Sequence, residues 1–289
     1  MELSGIQRRL QKRVTVVALF STITLALPGC GFLKNMLYKT TGDVMVSLAE
    51  EVTVPYTLTT SDLAVGCTMS EALSPLLLSF GRVTTPPDQI AVMMNLSGGT
   101  CEEQRALDDE LRYMRALKQQ NPDEAEDALI AQKRHQALAA TRQYAGWKSL
   151  TAAFGEPGSG ECPDLDSDFD QFIWLAGLLS GIQALNNDIQ SEGTVGVPTN
   201  IGSKVERGAT CLDDDKWWGV PMALRATIWA MIPGAEPKGE SAWARLDTAS
   251  EKGSQANVRL ADVMHVLAAY TKSDMERVKR VMRNHVEQI

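Results

Sequence analysis

The chain has 289 residues, 44% of them hydrophobic, and a formal charge of −8 from 28 basic and 36 acidic residues. That balance argues against a nucleic-acid binder, whose electrostatic footprint is basic. Only three histidines are present. With no HExxH, nucleophile elbow, P-loop or dinucleotide fingerprint, neither an enzyme nor a cofactor is expected.

The first residues carry Arg8, Arg9, Lys12 and Arg13 against one acid, Glu2. The apolar run that follows, 14–27, falls short of the roughly 20 residues that span a bilayer. Basic then apolar is the order of a secretory signal. The run ends in Leu27-Pro28-Gly29-Cys30, small residues before a cysteine. This is the pattern at which a lipoprotein leader is cut and the Cys30 thiol acylated. Residues 1–29 therefore read as the signal peptide, 30–60 as a lipid-anchored segment, and 61–289 as the folded domain. Acyl chains make the membrane the first expected partner. Gly31 follows the cysteine, where an Asp would favour inner-membrane retention. The expected address is the periplasmic face of the outer membrane, or the cell membrane in a Gram-positive host. Loss of the leader's four bases and one acid takes the charge from −8 to −11.

The roughly 260 remaining residues suffice for one sizeable core. Residues 52–58 are rich in β-branched side chains and read as extended, with no convincing partner. Thr84, Thr85, Pro86 and Pro87 form a turn between two helical stretches. Asn121-Pro122-Asp123-Glu124 is a strong helix start: a capping Asn, Pro in the first turn, then acids on the positive end of the dipole. That helix is expected to reach Phe154, where the glycine-rich loop 155–160 ends it. The loop lacks the Lys-Ser/Thr and the preceding strand of a phosphate cradle.

Asp164, Asp166, Asp168 and Asp170 imitate the start of a calcium loop. Position six would be Phe169 and position twelve Leu175, where Gly and Glu are required, so these acids are read as caps. Phe172, Ile173, Leu175, Ala176, Leu178, Leu179, Ile182 and Leu185 are apolar nearly all round, which predicts a buried helix. Asn186-Asn187-Asp188 is expected to break it. Asp213-Asp214-Asp215 should cap a helix carrying Trp217, Trp218, Leu224, Ile228, Trp229 and Ile232, closed by Pro233-Gly234. A short helix over 240–250 follows. Leu260, Val263, Met264 and Leu267 then keep helical spacing, with His265 read as a satisfied interior histidine. Ser273 and Glu276 form a capping box for a last helix bearing Met275, Val278 and Met282. The fold class is all-α: an array of helical hairpins of the size found in TPR-like repeats, in one compact domain.

Cys67, Cys101, Cys162 and Cys211 remain besides Cys30, an even number in an oxidising compartment. No CxxC or close Cys/His pair exists, so a metal is not expected. Hairpin geometry selects the pairing. Cys67 lies 17 residues before Thr84 and Cys101 17 after it. Both then sit about 25 Å from the turn on facing helices, at 1.5 Å per residue. Cys162 and Cys211 fall at the open end of a second hairpin. The expected bridges are Cys67–Cys101 and Cys162–Cys211. Six tryptophans lie on predicted helices. Core packing is the default, but Trp147, Trp174, Trp217, Trp218 and Trp229 are candidates to line a pocket or pore.

The segment Arg142-Gln143-Tyr144-Ala145-Gly146-Trp147-Lys148-Ser149-Leu150 resembles the arginine/tyrosine helix of the T component of TRAP transporters, a family of TatT-like periplasmic lipoproteins. Phe172-Ile173-Trp174-Leu175-Ala176-Gly177, on to Asn187-Asp188, resembles that family's aromatic buried helix and its acidic end. Leu212-Asp213 with Trp218-Gly219, and Leu267-Ala268-Ala269-Tyr270 with Asp274, are similar to its later motifs. Ser97-Gly98-Gly99-Thr100-Cys101 departs from the pattern, and so do the four mature cysteines. The resemblance implies a helical-repeat fold and a homo-oligomer with a central apolar pore. It also implies contact with a periplasmic solute-binding protein. The expected function is a lipid-anchored accessory of solute uptake, docking such a protein or handling a hydrophobic organic acid. The rival expectation is an envelope scaffold without ligand.

Overall fold

The computed structural model describes residues 31, 33–60 and 62–287, and those residues contain helices, turns and loops but no strand. Cys30 and residues 1–29, on which the lipoprotein reading falls, lie outside them, as do residues 32, 61, 288 and 289. The fold is all-α, and it separates into two compact units.

The first unit comprises residues up to Thr59 together with Pro75–Pro87. It holds helix α1 (33–48), a π-helical turn at Ala49–Thr53, and α2 (Val54–Leu58). Residues 52–58 are thus helical and not extended. With no strand beside them, backbone groups bond locally and the β-branched preference has nothing to act on. The unit also holds the turn after Phe80–Arg82. Gly42 lets α1 pass that turn closely: a Cβ there would meet Phe80 and Thr84 at 3.1 Å.

Helix α3 (Leu63–Ser79) carries Pro75 within it. Leu63–Arg82 is long and apolar enough to cross a membrane by length and composition, and is 17% buried. The sequence alone suggests no apolar stretch after Cys30 long and charge-free enough to span a membrane, and this helix corrects that reading as far as length and composition go.

The second unit comprises Thr60–Ser74 and everything from Asp88 on. It contains α4 (Asp88–Lys118), α5 (Pro122–Phe154), α6 (Asp168–Gln190), α7 (Ile201–Ala209), α8 (Val220–Met231), α9 (Ala242–Gln255), α10 (Leu260–Thr271) and α11 (Met275–Glu287). From α4 onward each helix packs on the next along the chain. The α5 boundaries are those the sequence predicts. Asn121 caps the amide of Glu124, and Gly155 closes the helix with φ +88°. Ser167 and Asp170 form a reciprocal capping box for α6, so of the aspartate run Asp170 takes part in the cap, and the capping residue itself is Ser167.

Three local expectations need correction. Helix α6 does not break at Asn186-Asn187-Asp188 but continues to Gln190, with Asn187 and Asp188 buried. Their side chains find tertiary partners and so do not compete for the helix's own backbone. Helix α8 starts at Val220, later than Trp217, because Trp218 (φ 56°) and Gly219 (φ 77°) turn the chain left-handed. The tight turn brings Gly219 against Ala249, where a Cβ would lie 2.8 Å from the carbonyl oxygen. At α11, Asp274 and not Ser273 is the cap. Its Oδ1 accepts from the amide of Arg277 at 3.0 Å, while Ser273 sits at φ 59°.

Glycines set the spacing of α4, α5 and α6. A Cβ on Gly146 would approach Ser180 Oγ to 2.6 Å, and one on Gly177 would approach Leu150 to 2.6 Å. Methyls at Gly99 and Gly181 would run into Gln143 and the Trp147 ring. Leu150, Ile173, Trp174 and Leu178 are fully buried around these crossings, each contributing about 1.5–3 kcal/mol of apolar burial.

Candidate functional site

Along the middle of the α4–α5 pair, small residues stand beside buried polar ones such as Glu102, Gln136 and Gln143. Gly98, Glu102 and Ala106 are spaced four apart on α4, which puts them on one buried face. Glu102 is 3% exposed and uses both carboxylate oxygens. Oε1 meets Arg105 at 2.6 Å and Arg142 at 3.1 Å, and Oε2 meets His135 Nδ1 at 2.6 Å. Arg142 also donates to the Gly98 carbonyl at 2.7 Å. From α3, Glu71 Oε1 reaches Arg105 and Arg142, each at 2.9 Å. Hydrogen bonds from Arg105 and then Arg142 pull the Glu71 carboxyl down to about 2. Its contribution is present above the ordinary value of 4.5 and is lost only as the pH falls toward 2.

Cys67 and Cys101 are bridged one turn from these acids, with Cα atoms 5.6 Å apart. The bridge holds Glu71 of α3 against the arginines of α4 and α5. A second polar tier joins α6. Gln143 is fully buried. Asn187 donates to Gln143 Oε1 at 2.8 Å and to Glu103 Oε1 at 2.5 Å. Ser180 donates to the Gln143 carbonyl at 2.8 Å. Asp188 accepts from the amides of Val195 and Val197 at 2.8 and 2.7 Å, which closes the loop after α6. The result is a clamp of paired charges and amides across four helices.

The segments around Arg142 and Asn187 carry sequence motifs, but Glu71, Glu102 and Arg105 were not singled out. Charges on a helix normally mark its solvated face. The usable signal was the four-residue spacing of Gly98, Glu102 and Ala106, which places the acid on a small-residue stripe.

The other bridge, Cys162–Cys211, joins the loop before α6 to the turn after α7, with Cα atoms 5.5 Å apart. Both pairings are those that hairpin geometry predicts. This bridge borders a cleft of 250 Å³ with the 155–160 loop, Trp174 and Arg207. Arg207 Nε donates to the Gly158 carbonyl at 3.0 Å, which holds the loop.

The five tryptophans offered as pocket lining sit against different neighbours. Trp147 is buried against Gly181. Trp174 packs edge-on to Phe154 and donates to the Gly208 carbonyl at 2.9 Å. Trp217 donates to Gln171 at 3.1 Å and Trp229 to Glu206 at 3.0 Å. Trp218 stands edge-on to Trp217 and is 37% exposed.

His265 is buried between α9 and α11, as an interior histidine should be. Nδ1 lies 3.2 Å from Ser250 Oγ, and Nε2 lies 3.3 Å from Arg277 Nη1. Burial pushes its pKa down to about 4, with Arg277 and Arg280 adding to the fall and Asp247 and Asp262 opposing it. The unfolded chain takes up this proton near the ordinary 6.5, the folded chain only near 4. Stability is therefore complete above pH 6.5 and drains as the pH falls toward 4, by about 3 kcal/mol. Urea unfolding at pH 7 and pH 4 is expected to show that loss, and His265→Gln should flatten it. An equal pH dependence in the variant would remove His265 as the cause.

Among the described residues no group of His, Cys, Asp and Glu is arranged to hold a metal ion. No family model, curated protein or solved structure matches the chain.

Proposed function

We propose that this chain is a lipid-anchored periplasmic docking protein of solute uptake, which holds a solute-binding protein near the membrane. The observation that supports docking is the far end of the α4–α5 hairpin. Asn187, near the end of α6, reaches Glu103, and Lys133 reaches Glu192 just past α6. Residues 104–118 and 122–132 thus continue beyond that helix. There the usual pattern is inverted: Ala106, Ala116, Ala125 and Ala128 are buried between the two helices. Leu107, Leu111, Met114 and Leu117 face outward on one side of α4, 47–59% exposed. Small residues inside and large apolar ones outside suit a face that another protein covers. The uptake context rests on the family resemblance of the segments around Arg142, Trp174 and Asn187. Ligand handling is the weaker half of the reading, because the indole N–H groups of Trp174, Trp217 and Trp229 are engaged internally.

A photo-crosslinking residue in place of Leu111, in cells of the source organism, tests this. A solute-binding protein is the expected adduct. An assembly-machine or cell-wall component would establish the scaffold reading instead. No adduct at Leu111, with the same result at Leu107, would overturn docking through this face.

A further inference from the structure

Helix α1 is packed along one side only. Gly42 is buried there, and Met45 and Val46 beside it are half-buried. The opposite side carries Leu33, Met36, Leu37, Val44 and Leu48, all 46–65% exposed. At about 100° per residue these five fall within an arc of about 120°, centred opposite Gly42. Such a stripe has the pattern of a core face, yet it stands open. Its unit offers little core to hide it in. Among the unit's described residues only Gly42, Ala49, Val54, Leu77 and Pro87 are buried. Val52, Tyr56 and Leu58 are exposed as well.

Over the length of α1 no charged residue falls within the arc. Lys34 and Lys39 stand on its two borders. Lys34 Nζ lies 5.4 Å from the centre of the Tyr38 ring. Asp43, the acid beside the stripe, accepts from the Thr84 hydroxyl.

We propose that α1 lies in the surface of a lipid bilayer, with the stripe among the acyl chains and Lys34 and Lys39 reaching out to the headgroups. Helix α1 begins three residues after Cys30. An acylated Cys30 therefore keeps its start within about 11 Å of the membrane. The choice of a bilayer as occupant rests on that lipid-anchor reading. At 1.5 Å per residue α1 is about 24 Å long, short of the roughly 30 Å of a hydrocarbon core. A short helix with an apolar stripe and lysines at its borders suits burial in the plane of the interface, because the long lysine stems let the charge stay in water.

Flotation with phosphatidylcholine vesicles tests this, using residues 30–289 with Cys30→Ser. That chain has no acyl group and keeps every described residue. Vesicles without net charge leave apolar insertion as the attraction. The protein is expected to float. Leu37→Glu and Val44→Glu, which point away from the packed side, should each lower the partition coefficient about tenfold. Leu138→Glu, an exposed change on α5, should leave it unchanged. Circular dichroism checks that each variant is folded. No flotation would overturn the proposal. So would equal partitioning of both stripe variants and their parent, or an equal loss with Leu138→Glu. A dimer in sedimentation that Leu37→Glu dissociates, without vesicle binding, would give the stripe to a second copy instead. Fatty-acid labelling of wild-type Cys30 in cells reads the anchor separately: flotation without labelling would refute the anchor and uphold the helix.

Discussion

Replacing Cys67 and Cys101 together by Ala is expected to lower the unfolding free energy by about 4 kcal/mol, from chain entropy alone. The bridge closes a separation of 34 residues, against 49 for Cys162–Cys211. Loop length alone makes the two bridges nearly equal, since the entropy grows only with the logarithm of the loop. The first should nonetheless have the larger effect. It seats Glu71 between Arg105 and Arg142, and without it α3 loses the covalent tie that keeps those ion pairs aligned. For a domain of this size the melting temperature should fall by about 8–16 °C. Thermal and urea unfolding of both double variants, under non-reducing conditions, measure it. A loss below about 1 kcal/mol for Cys67/Cys101 would show that the bridge does not constrain the unfolded chain. A larger loss for the Cys162/Cys211 pair would show that the Glu71 contacts add nothing.

The second large effect is expected at Glu102. Removing one member of a buried ion pair leaves its partners uncompensated and typically costs about 3–5 kcal/mol. Arg105 and Arg142 are 44% and 32% exposed at the side chain, so solvent relieves part of that cost. Glu102→Ala should therefore fall at the lower end, about 3 kcal/mol. Glu102→Gln keeps the shape and one set of hydrogen bonds and should lose less. A double-mutant cycle of Glu102→Ala with His135→Ala apportions the pair at 2.6 Å. Chemical denaturation at neutral pH reads the three single variants and the double variant. A change under about 1 kcal/mol for Glu102→Ala would place the acid's partners in water and not in a clamp.

Three residues of the resemblance segments belong to the clamp. Arg142, Gln143 and Asn187 came to notice as parts of short motifs, and in the fold they are the polar ties between α4, α5 and α6. Their partners had no comparable signal. Glu103 meets Asn187 across a separation of 84 residues, and Glu71 meets Arg142 across 71. No local window relates residues so far apart. The inverted end of the α4–α5 hairpin was equally hidden. Leu107, Leu111, Met114 and Leu117 have the spacing of a core stripe, and only the stop of α6 near Gln190 leaves them outside.

The sequence by itself determined both ends of α5, the polar start of α6 and the two bridges. Asn121-Pro122, the Ser167–Asp170 segment and Gly155 act within one helical turn of where they stand, so their effect needs no distant partner. The cysteine pairing follows from helix rise and one proline-marked turn, which are also local quantities. Tertiary structure alone decided which charges turn inward and which apolar side chains stay out. The direction of a side chain depends on whether a neighbouring helix is present at that height. Asn187 remains helical because Gln143 and Glu103 are there to receive its amide, and Glu102 is buried because glycines bring α5 close enough to answer it.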